Sequence, residues 1–395
     1  IDGMVLIEDI MAGVTTGDKL KAALMSMLPV NMILNSIHKG DENDTAAILF
    51  TSGSEKDPKA VQLSHRNIAS NIENFGNYVK IYETDILLAN LVFYHIFGLT
   101  VNLWVSFYYG MTMVTYANPL DFQTVSNIAR DEKPTIMVGT PSFFRGYLQK
   151  SEPGDFKTLR LMVAGADKCP DTLREGYMKK HGVTLLEGYG ATETSPVISA
   201  NSIEFNRPGS TGQVIPNVQV RIENFETGKE CVTGEVGKIL VKGDSVMKGY
   251  FDDPELTAEA LVNGWYNTGD MGFFDKDKYL WHAGRFKRFA KIGGEMISLV
   301  RVENIMEKYL PAGVACCVVE VSDEKKGSYV VATVSAEVNK TEVLRKMMKE
   351  LPIIALPRQF IVVKDLPMMS TGKIDFRSVT EMVRKIMSIS GPDLL

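Results

Sequence analysis

The stretch Val183-Thr-Leu-Leu-Glu-Gly-Tyr-Gly-Ala-Thr-Glu193 joins a short apolar run to a glycine-containing turn that ends in a carboxylate. Similar apolar runs, which predict buried strands, occur at Thr45–Phe50, Thr135–Val138 and Leu159–Val163. Helical patterns lie between them, and one begins at Pro141, a residue favoured in the first turn of a helix. Strands that alternate with helices predict an α/β fold with layered, mostly parallel sheets.

The sequence changes character after about Gly209. Short strand patterns between Gly and Pro turns, at Gly212–Ile222 and Glu235–Lys242, predict a β-rich subdomain over about residues 209–283. Strand patterns at Ala315–Val321 and Tyr329–Ser335, with a helix from about Thr341 to Leu351, predict a small α+β domain. We therefore expect a large domain at residues 1–286 and a small C-terminal domain at residues 287–395.

The bulk composition is that of an ordinary globular protein. The 395 residues are 45% apolar and 23% charged, and the formal net charge is -5, with both signs mixed along the chain. A nucleic-acid partner would favour a basic stripe, so we expect no nucleic acid to bind. The four cysteines fit neither a zinc site nor a disulfide framework, which indicates a reducing compartment.

One uncharged segment requires comparison with a membrane helix. Between Asp85 and Asp121 there is no Asp, Glu, Lys or Arg, and a spanning helix needs about 20 mostly apolar residues. Polar residues and glycines interrupt the run, so we expect a buried helix followed by a buried strand. On this interpretation most of the side chains of Phe93, Phe97, Trp104 and Phe107 belong to the core, or some of them wall a tunnel for an apolar chain.

The segment Thr51-Ser-Gly-Ser-Glu-Lys-Asp-Pro-Lys-Ala60 is a polar turn after a strand. Hydroxyls, backbone N–H groups and a lysine suit the phosphates of a nucleotide. The spacing is not that of a P-loop, because Lys59 follows Pro58 and no Ser or Thr comes after it. Taken alone, such a turn is more often a simple loop.

Three further positions carry both a functional and a structural interpretation. Glu193 is a potential magnesium ligand, or a carboxylate at a helix N-terminus. Asp270, in Trp265-Tyr-Asn-Thr-Gly-Asp270, is a potential acceptor for ribose hydroxyls, or part of an Asx turn. Lys373, in Ser370-Thr-Gly-Lys-Ile374, is a solvated charge when it is considered alone, and its functional interpretation comes only from the resemblance described below. No single position decides between the functional and the structural interpretation.

The order of these motifs resembles that of the adenylate-forming superfamily, which contains acyl-CoA synthetases, luciferases and peptide-synthetase adenylation domains. The resemblance runs from about Thr45 to Lys373. Besides the motifs above it includes Phe93-Tyr-His-Ile-Phe-Gly98, Ala164-Gly-Ala166 and Gly284-Arg285. It implies ATP and Mg²⁺ as cofactors, formation of an acyl-adenylate and transfer of the acyl group to a thiol.

The resemblance also implies a role for each matching residue. The phosphate-binding group is Thr51, Ser52, Gly53, Ser54 and Lys59. The adenine and ribose group is Gly165, Ala166, Glu187, Gly188, Tyr189, Gly190, Asp270 and Arg285. The catalytic group is Glu193 on the metal, Thr192 on the α-phosphate, Lys373 between carboxylate and phosphate, and His95 at the acyl site. Lys287 is the hinge about which the small domain rotates, carrying Lys373 out and the loop at Lys291–Glu295 in.

A closer resemblance rests on residues 284–298, Gly-Arg-Phe-Lys-Arg-Phe-Ala-Lys-Ile-Gly-Gly-Glu-Met-Ile-Ser, and on Thr51-Ser-Gly-Ser-Glu55. These are similar to the synthetase half of the bacterial bifunctional 2-acylglycerophosphoethanolamine acyltransferase/acyl-acyl-carrier-protein synthetase. The partners implied are a long-chain fatty acid, acyl carrier protein and a fused acyltransferase domain, at the cytoplasmic face of the inner membrane. The phosphate loop comes early, at Thr51, so we expect a soluble fragment truncated at its N-terminus.

Two other functions stay open. A long-chain fatty acyl-CoA synthetase would share the first half-reaction, and a remnant without turnover would only bind nucleotide. The superfamily usually has Thr-Gly where this chain has Glu55-Lys56, and Gly where it has Ala60, which restricts the backbone near the phosphates. The basic cluster Arg285, Lys287, Arg288 and Lys291 is a candidate contact for an acidic carrier protein or for CoA.

Overall fold

The computed structural model describes residues 7–36, 40–51, 58–311, 313–323, 327–368 and 374–390. The chain divides into two compact units, Ile1–Asp44 and Thr45–Leu395. The helices are α1 (Ile7–Gly13), α2 (Thr16–Ser26), α3 (Val30–Ser36), α4 (His65–Val79), α5 (Val105–Tyr109), α6 (Phe122–Glu132), α7 (Pro141–Lys150), α8 (Asp171–His181), α9 (Pro254–Ala260), α10 (Leu299–Glu307), α11 (Lys340–Met347) and α12 (Phe376–Ser390).

The strands follow in chain order. They are β1 (Thr45–Thr51), β2 (Lys59–Ser64), β3 (Ile86–Ala89), β4 (Thr112–Thr115), β5 (Ile136–Gly139), β6 (Leu161–Ala164), β7 (Leu185–Gly190), β8 (Val197–Ala200), β9 (Gln213–Val214), β10 (Gln219–Glu223), β11 (Gly237–Lys242), β12 (Gly249–Tyr250), β13 (Leu261–Val262), β14 (Trp265–Phe274), β15 (Leu280–Arg285), β16 (Phe289–Ile292), β17 (Glu295–Ser298), β18 (Cys316–Asp323), β19 (Gly327–Val334) and β20 (Gln359–Val362).

The smaller unit consists of α1, α2 and α3, none of which the sequence analysis predicted. The α2 helix begins with a capping box, in which the Thr15 hydroxyl accepts from the Asp18 N–H and the Asp18 carboxylate accepts from the Thr15 N–H. This pairing of N-cap and third residue is a recognised start signal. The helix was overlooked because all of its side chains are exposed, so that no apolar periodicity marks a buried face.

A seven-stranded sheet in the order β4-β3-β5-β6-β7-β8-β9 forms the centre of the larger unit. The first five strands are parallel, and β8 and β9 are antiparallel additions. Every residue of β5 and β6 is buried, as expected where helices cover both faces of a parallel sheet. The prediction of a parallel α/β layer is confirmed, including α7, which begins at Pro141 with Thr140 as its N-cap.

Two antiparallel sheets accompany this layer. One is the five-stranded sheet β10-β11-β14-β13, with β15 paired to β14, and it confirms the β-rich subdomain. The other is β1-β2-β12. Two predicted turns are wrong, because β14 continues through Asp270 and β7 continues through Gly188, Tyr189 and Gly190. Ladder hydrogen bonds to neighbouring strands hold these glycine-containing segments extended, which their local composition does not reveal.

The C-terminal part forms a small α+β arrangement with the sheet β18-β19-β20 and helices α10, α11 and α12. Among the described residues, its hydrophobic clusters contain residues from Ala290 onward, whereas the clusters of the preceding part end at Leu280. The predicted boundary near Lys287 falls in the interval between these cores and stays a prediction.

The uncharged segment differs from its prediction. It contains strand β3, a π-helix at Phe97–Trp104, helix α5 and the edge strand β4. Phe93, Trp104 and Phe107 are exposed, so the expectation that they belong to the core is wrong. The helical part packs against α4 and β3 with one face, and the other face, with Trp104 and Phe107, remains at the surface. Within the described segments, no helix is both long and apolar enough to cross a bilayer.

Candidate functional site

The candidate site lies at one edge of the central sheet. The parallel strands β5, β6 and β7 end there at Gly139, Ala164 and Gly190. Ligands of open α/β sheets bind in the crevice beyond the carboxyl ends of the strands. Gly165 and Ala166 follow β6 directly, and the segment with Thr192 and Glu193 follows β7, so the fold brings both predicted motifs to this edge.

Gly165 permits a close approach between the loop after β6 and an aromatic ring. A Cβ at this position would lie 3.1 Å from Cζ of Phe97, closer than ordinary van der Waals contact. The next residue, Ala166, has φ +67°, a left-handed conformation that is uncommon for residues with a side chain. Such strain often marks a ligand site.

A buried carboxylate organises the neighbouring part of the site. Asp270 is 3% exposed, and its Oδ2 accepts a hydrogen bond from the Tyr189 hydroxyl at 2.6 Å. Nε of Arg285 lies 2.9 Å from Asp270 Oδ1, and Nε2 of His282 lies 3.6 Å from the same oxygen. The structure thus brings together three residues that the sequence assigns to the ribose and adenine, although they come from β7, β14 and β15.

The environment keeps Asp270 ionised. Burial by itself opposes ionisation, but His282, Arg285 and the Tyr189 hydroxyl outweigh it and hold the pKa of Asp270 below its ordinary value. His282 also lies beside Tyr189, with ring centroids 5.2 Å apart. His282 was not predicted as a site residue, because no local motif marks it.

A second group of polar residues lies where β2 and β12 meet the segment after β7. Glu193 is 8% exposed, and its Oε1 accepts a hydrogen bond from the Tyr250 hydroxyl at 3.0 Å. Nζ of Lys59 lies 5.0 Å from the centroid of the Tyr250 ring. Thr192 is half-buried beside Glu193. The predicted phosphate lysine and the predicted metal carboxylate are therefore connected through Tyr250, a residue the sequence analysis did not select.

The Glu187 carboxylate is held by three neighbouring residues. It accepts from Arg174 at 2.6 Å, from the Gly209 N–H at 2.9 Å and from the Cys169 N–H at 3.3 Å. Burial raises its pKa, although Arg174 opposes this shift. These hydrogen bonds tie α8 and two loops to β7, and the role of Glu187 in adenine binding stays a prediction.

The remaining predicted residues are spread more widely. His95 is exposed before the π-helix, and its Nδ1 accepts the Phe97 N–H at 3.2 Å. Thr51 ends β1, and Lys287 lies in a short 3₁₀-helix at Phe286–Arg288 between β15 and β16. Ser52, Gly53, Ser54 and Lys373 lie outside the described residues, as do Glu55 and Lys56.

The basic cluster is engaged within the protein. Arg288 forms a buried ion pair with Glu303, and its guanidinium lies 3.9 Å from the centroid of the Phe376 ring. Nζ of Lys291 lies 3.1 Å from Oε1 of Glu226. Arg288 therefore serves the packing of the C-terminal part and is not an accessible contact for a carrier protein.

Comparison with known proteins agrees with this geometry. Residues 12–251 match the family of AMP-binding enzymes, and residues 302–373 match the C-terminal domain of AMP-binding enzymes. The chain belongs to the AMP-binding enzyme family. The resemblance to the adenylate-forming superfamily is thus confirmed, whereas the closer relation to the bifunctional acyltransferase/synthetase stays a prediction.

Individual relatives support the same assignment. The long-chain-fatty-acid–CoA ligase of Bacillus subtilis strain 168 is 32% identical over 86% of this chain and 62% of its own length. The structure of ATP-bound MatB from Rhodopseudomonas palustris has 30% identity and a TM-score of 0.81, over 89% of this chain and 70% of that one. O-succinylbenzoate coenzyme A synthetase from Bacillus subtilis, in complex with ATP and magnesium, has 26% identity and a TM-score of 0.78, over 89% and 74%.

These solved structures confirm the fold class, a large α/β domain followed by a smaller C-terminal domain. The chain spans about two thirds of the length of its curated relatives, 62% of the Bacillus subtilis ligase and 65% of a putative acyl-CoA synthetase from the same organism.

Proposed function

We propose that the protein activates a long-chain fatty acid with ATP and transfers the acyl group to a thiol, releasing AMP and pyrophosphate. The observation that supports this most directly is the grouping of Tyr189, Asp270 and Arg285 at the carboxyl edge of the sheet. A buried, ionised carboxylate beside an aromatic ring suits a ribose whose two hydroxyls donate hydrogen bonds. Family membership extends this from nucleotide binding to adenylation.

The first half-reaction is attack of the fatty carboxylate on the α-phosphorus of ATP. A carboxyl oxygen bonds to phosphorus, the bond to the bridging oxygen breaks, and pyrophosphate leaves with the electron pair. Two anions must meet, so alignment and charge neutralisation contribute most of the rate enhancement. We assign Lys59 and residues 51–54 to the β- and γ-phosphates, Thr192 to the α-phosphate, and Lys373 to the position between the two anions.

Magnesium fits the residues that are present. Glu193 is a buried carboxylate, and oxygen ligands of this kind hold Mg²⁺ together with the phosphates of a nucleotide. Among the described residues, no group of three His, Cys, Asp or Glu side chains is placed to hold a metal by itself. The Glu193 carboxylate fits a metal ion that arrives with ATP and that, once bound, would neutralise part of the phosphate charge.

The second half-reaction is attack of a thiol sulfur on the acyl carbonyl carbon, with AMP as the leaving group. We propose that the small domain rotates about Lys287 between the two steps, carrying Lys373 out and residues 291–295 in. The separation of the hydrophobic cores on either side of this position supports a hinge there. Hinges are usually a few residues at the ends of elements, as in the 3₁₀-helix at Phe286–Arg288.

The acceptor we propose is acyl carrier protein, with CoA as the alternative. Residues 284–298 support the carrier protein through their resemblance to the bifunctional synthetase, and with it a role in reacylating lysophospholipid at the inner membrane beside an acyltransferase domain. The Bacillus subtilis relative is named as a CoA ligase, which supports the alternative. Both acceptors present the same phosphopantetheine thiol, so the adenylation site does not distinguish them.

The test uses the 395-residue chain with ATP, Mg²⁺ and palmitate. Palmitate-dependent exchange of pyrophosphate into ATP would establish the first step. Holo-acyl-carrier-protein and CoA are then offered together, and mass spectrometry identifies the thioester. Product on the carrier protein supports the proposed acceptor, and acyl-CoA alone assigns the protein to the CoA ligases. AMP binding without exchange for any fatty acid would refute the catalytic proposal.

A further inference from the structure

Tyr250 contacts both Lys59, which we assign to the terminal phosphates of ATP, and Glu193, which we assign to the metal ion. Its hydroxyl donates a hydrogen bond to Oε1 of Glu193 at 3.0 Å, while Nζ of Lys59 lies over its ring, 5.0 Å from the centroid. Tyr250 is 6% exposed and Glu193 is 8% exposed, so the hydrogen bond lies away from solvent. Bonds to a charged partner in such a place are stronger than bonds between neutral groups.

Main-chain hydrogen bonds connect the segment that carries Tyr250 to both neighbours. Strand β12 pairs with β2, so that Tyr250 lies opposite Val61, two residues after Lys59. The N–H of Phe251 donates to the carbonyl of Ala60 at 2.7 Å. On the other side, the N–H of Met247 donates to the carbonyl of Glu193 at 2.8 Å. These bonds therefore hold the main chain of Tyr250 next to the segments that carry Lys59 and Glu193.

The ring has a physical consequence for the two charges. A lysine ammonium and a carboxylate that come within reach pair with each other, and each then ceases to be available to a ligand. Here the ammonium contacts the ring face through a cation–π interaction, and the carboxylate contacts the hydroxyl. The two charges are held at different parts of one rigid side chain and are kept for an external partner.

The phenol remains a donor under ordinary conditions. Burial raises its pKa above the usual range, and the neighbouring Glu193 carboxylate raises it further. The hydroxyl therefore keeps its proton and donates it in the hydrogen bond to Glu193.

We infer that Tyr250 is a positioning residue for MgATP: it holds the Lys59 ammonium and the Glu193 carboxylate apart and oriented, one for the terminal phosphates and one for the metal. This inference rests on the proposed function. Its specific consequence is selectivity within the nucleotide, because AMP carries neither terminal phosphates nor their metal ion. Tyr250 should thus affect the binding of MgATP and leave the binding of AMP almost unchanged.

The experiment compares Tyr250→Phe, which removes only the hydroxyl, with Tyr250→Leu, which also removes the ring face beneath Lys59. Calorimetry on the 395-residue chain measures the Kd of MgATP and of AMP. Tyr82→Phe is the matched control, because its ring also lies under a cation, 5.0 Å from the Arg160 guanidinium, but outside the site. We expect Tyr250→Phe to weaken MgATP about tenfold, the effect of one hydrogen bond to a charged group, and Tyr250→Leu to weaken it further.

A double-mutant cycle distinguishes positioning from a general structural effect. In a Glu193→Ala background, Tyr250→Phe should no longer change MgATP affinity, because its partner is already absent. Equal losses for AMP and MgATP, or an undiminished effect in the Glu193→Ala background, would overturn the inference while leaving the proposed function intact. An unaltered chain that binds AMP but not MgATP would overturn both. Tyr82→Phe should bind both nucleotides as the unaltered chain does.

Discussion

Replacement of Asp270 by asparagine should weaken nucleotide binding much more than it weakens the fold. The substitution keeps the shape of the side chain and one acceptor oxygen but removes the negative charge. In the present structure this charge is balanced by Arg285, by His282 and by the hydroxyl of Tyr189. The oxygen of asparagine would still accept the hydrogen bond from the Tyr189 hydroxyl. Its NH₂ group would face the Arg285 guanidinium, and because both groups are hydrogen-bond donors, no hydrogen bond would form between them.

The magnitude follows from the hydrogen bonds that a ribose would make. Two hydroxyls donate to an ionised carboxylate in the native protein and to a neutral amide in the variant. Bonds to charged acceptors contribute about 1.5–3 kcal/mol and neutral bonds about 1 kcal/mol. The difference over two bonds is about 1–4 kcal/mol, which corresponds to a loss of AMP affinity of roughly 5- to 700-fold.

The assay is calorimetric titration of AMP and of 2′,3′-dideoxyAMP. The unaltered chain should prefer AMP strongly over the dideoxy nucleotide, and Asp270→Asn should retain only a weaker preference, from the neutral hydrogen bonds that remain. Asp85→Asn is the matched control: Asp85 is another buried carboxylate, paired with Arg160 and hydrogen-bonded to Thr135, but it precedes β3 at the opposite edge of the sheet. This control should lose stability and keep its AMP affinity. If Asp270→Asn binds AMP within twofold of the unaltered chain, the ribose assignment is wrong.

Three further results are expected. His282→Phe removes the group that most opposes the effect of burial on Asp270, so the pKa of the Asp270 carboxyl should rise. AMP affinity of the variant should then fall at pH 5 and change little at pH 8. Identical pH profiles of AMP affinity for the variant and the unaltered chain would contradict this. Arg288→Met leaves Glu303 buried without its cation and should lower the free energy of unfolding, measured in urea, by about 3 kcal/mol. The double variant Arg288→Met/Glu303→Leu should recover most of this loss. A decrease of less than about 1 kcal/mol in the single variant would show that the ion pair contributes little to stability. Lys373→Ala should abolish pyrophosphate exchange and spare thiol transfer from supplied acyl-adenylate, and equal loss in both steps would refute the rotation of the small domain.

The architecture could be predicted because it depends on patterns that repeat along the chain. The apolar runs that became β5, β6 and β7 are short and bounded by polar turns, and the parallel sheet follows from their alternation with helices. The run at Thr45–Phe50 also became a strand, but the expectation that it is buried is wrong, because β1 lies in an antiparallel sheet and exposes Ile48 and Phe50. The exposed helix α2 has no such pattern, and neither does the surface face of the π-helix that carries Trp104. Periodicity reports on burial, so elements at the surface are the ones it fails to locate.

The site residues were found for a different reason. Asp270 and Glu193 were selected through the order of motifs, since each has an equally good structural explanation when it is considered alone. Tyr250 and His282 were missed because each contacts a predicted site residue only in the folded chain. Tyr250 contacts Glu193, 57 positions away, and His282 contacts Asp270, 12 positions away. No local composition marks such a partner, and only the packed structure identifies it.

Strand pairing is irregular at two places beside the site, and the irregularity in β15 explains why alternation along that strand could not place His282. The β7–β8 register shifts between Tyr189 and Gly190, and the β14–β15 register shifts between Met271 and Gly272, where β15 passes over Ala283. In a regular strand, residues three apart face opposite sides of the sheet. The extra residue in β15 instead brings His282 and Arg285 to the same side, towards Asp270. Bulges are frequent beside active sites because they redirect a side chain without ending the strand. The nucleotide site is therefore built where the twofold periodicity fails, so sequence periodicity that locates the strands correctly still assigns these side chains to the wrong faces.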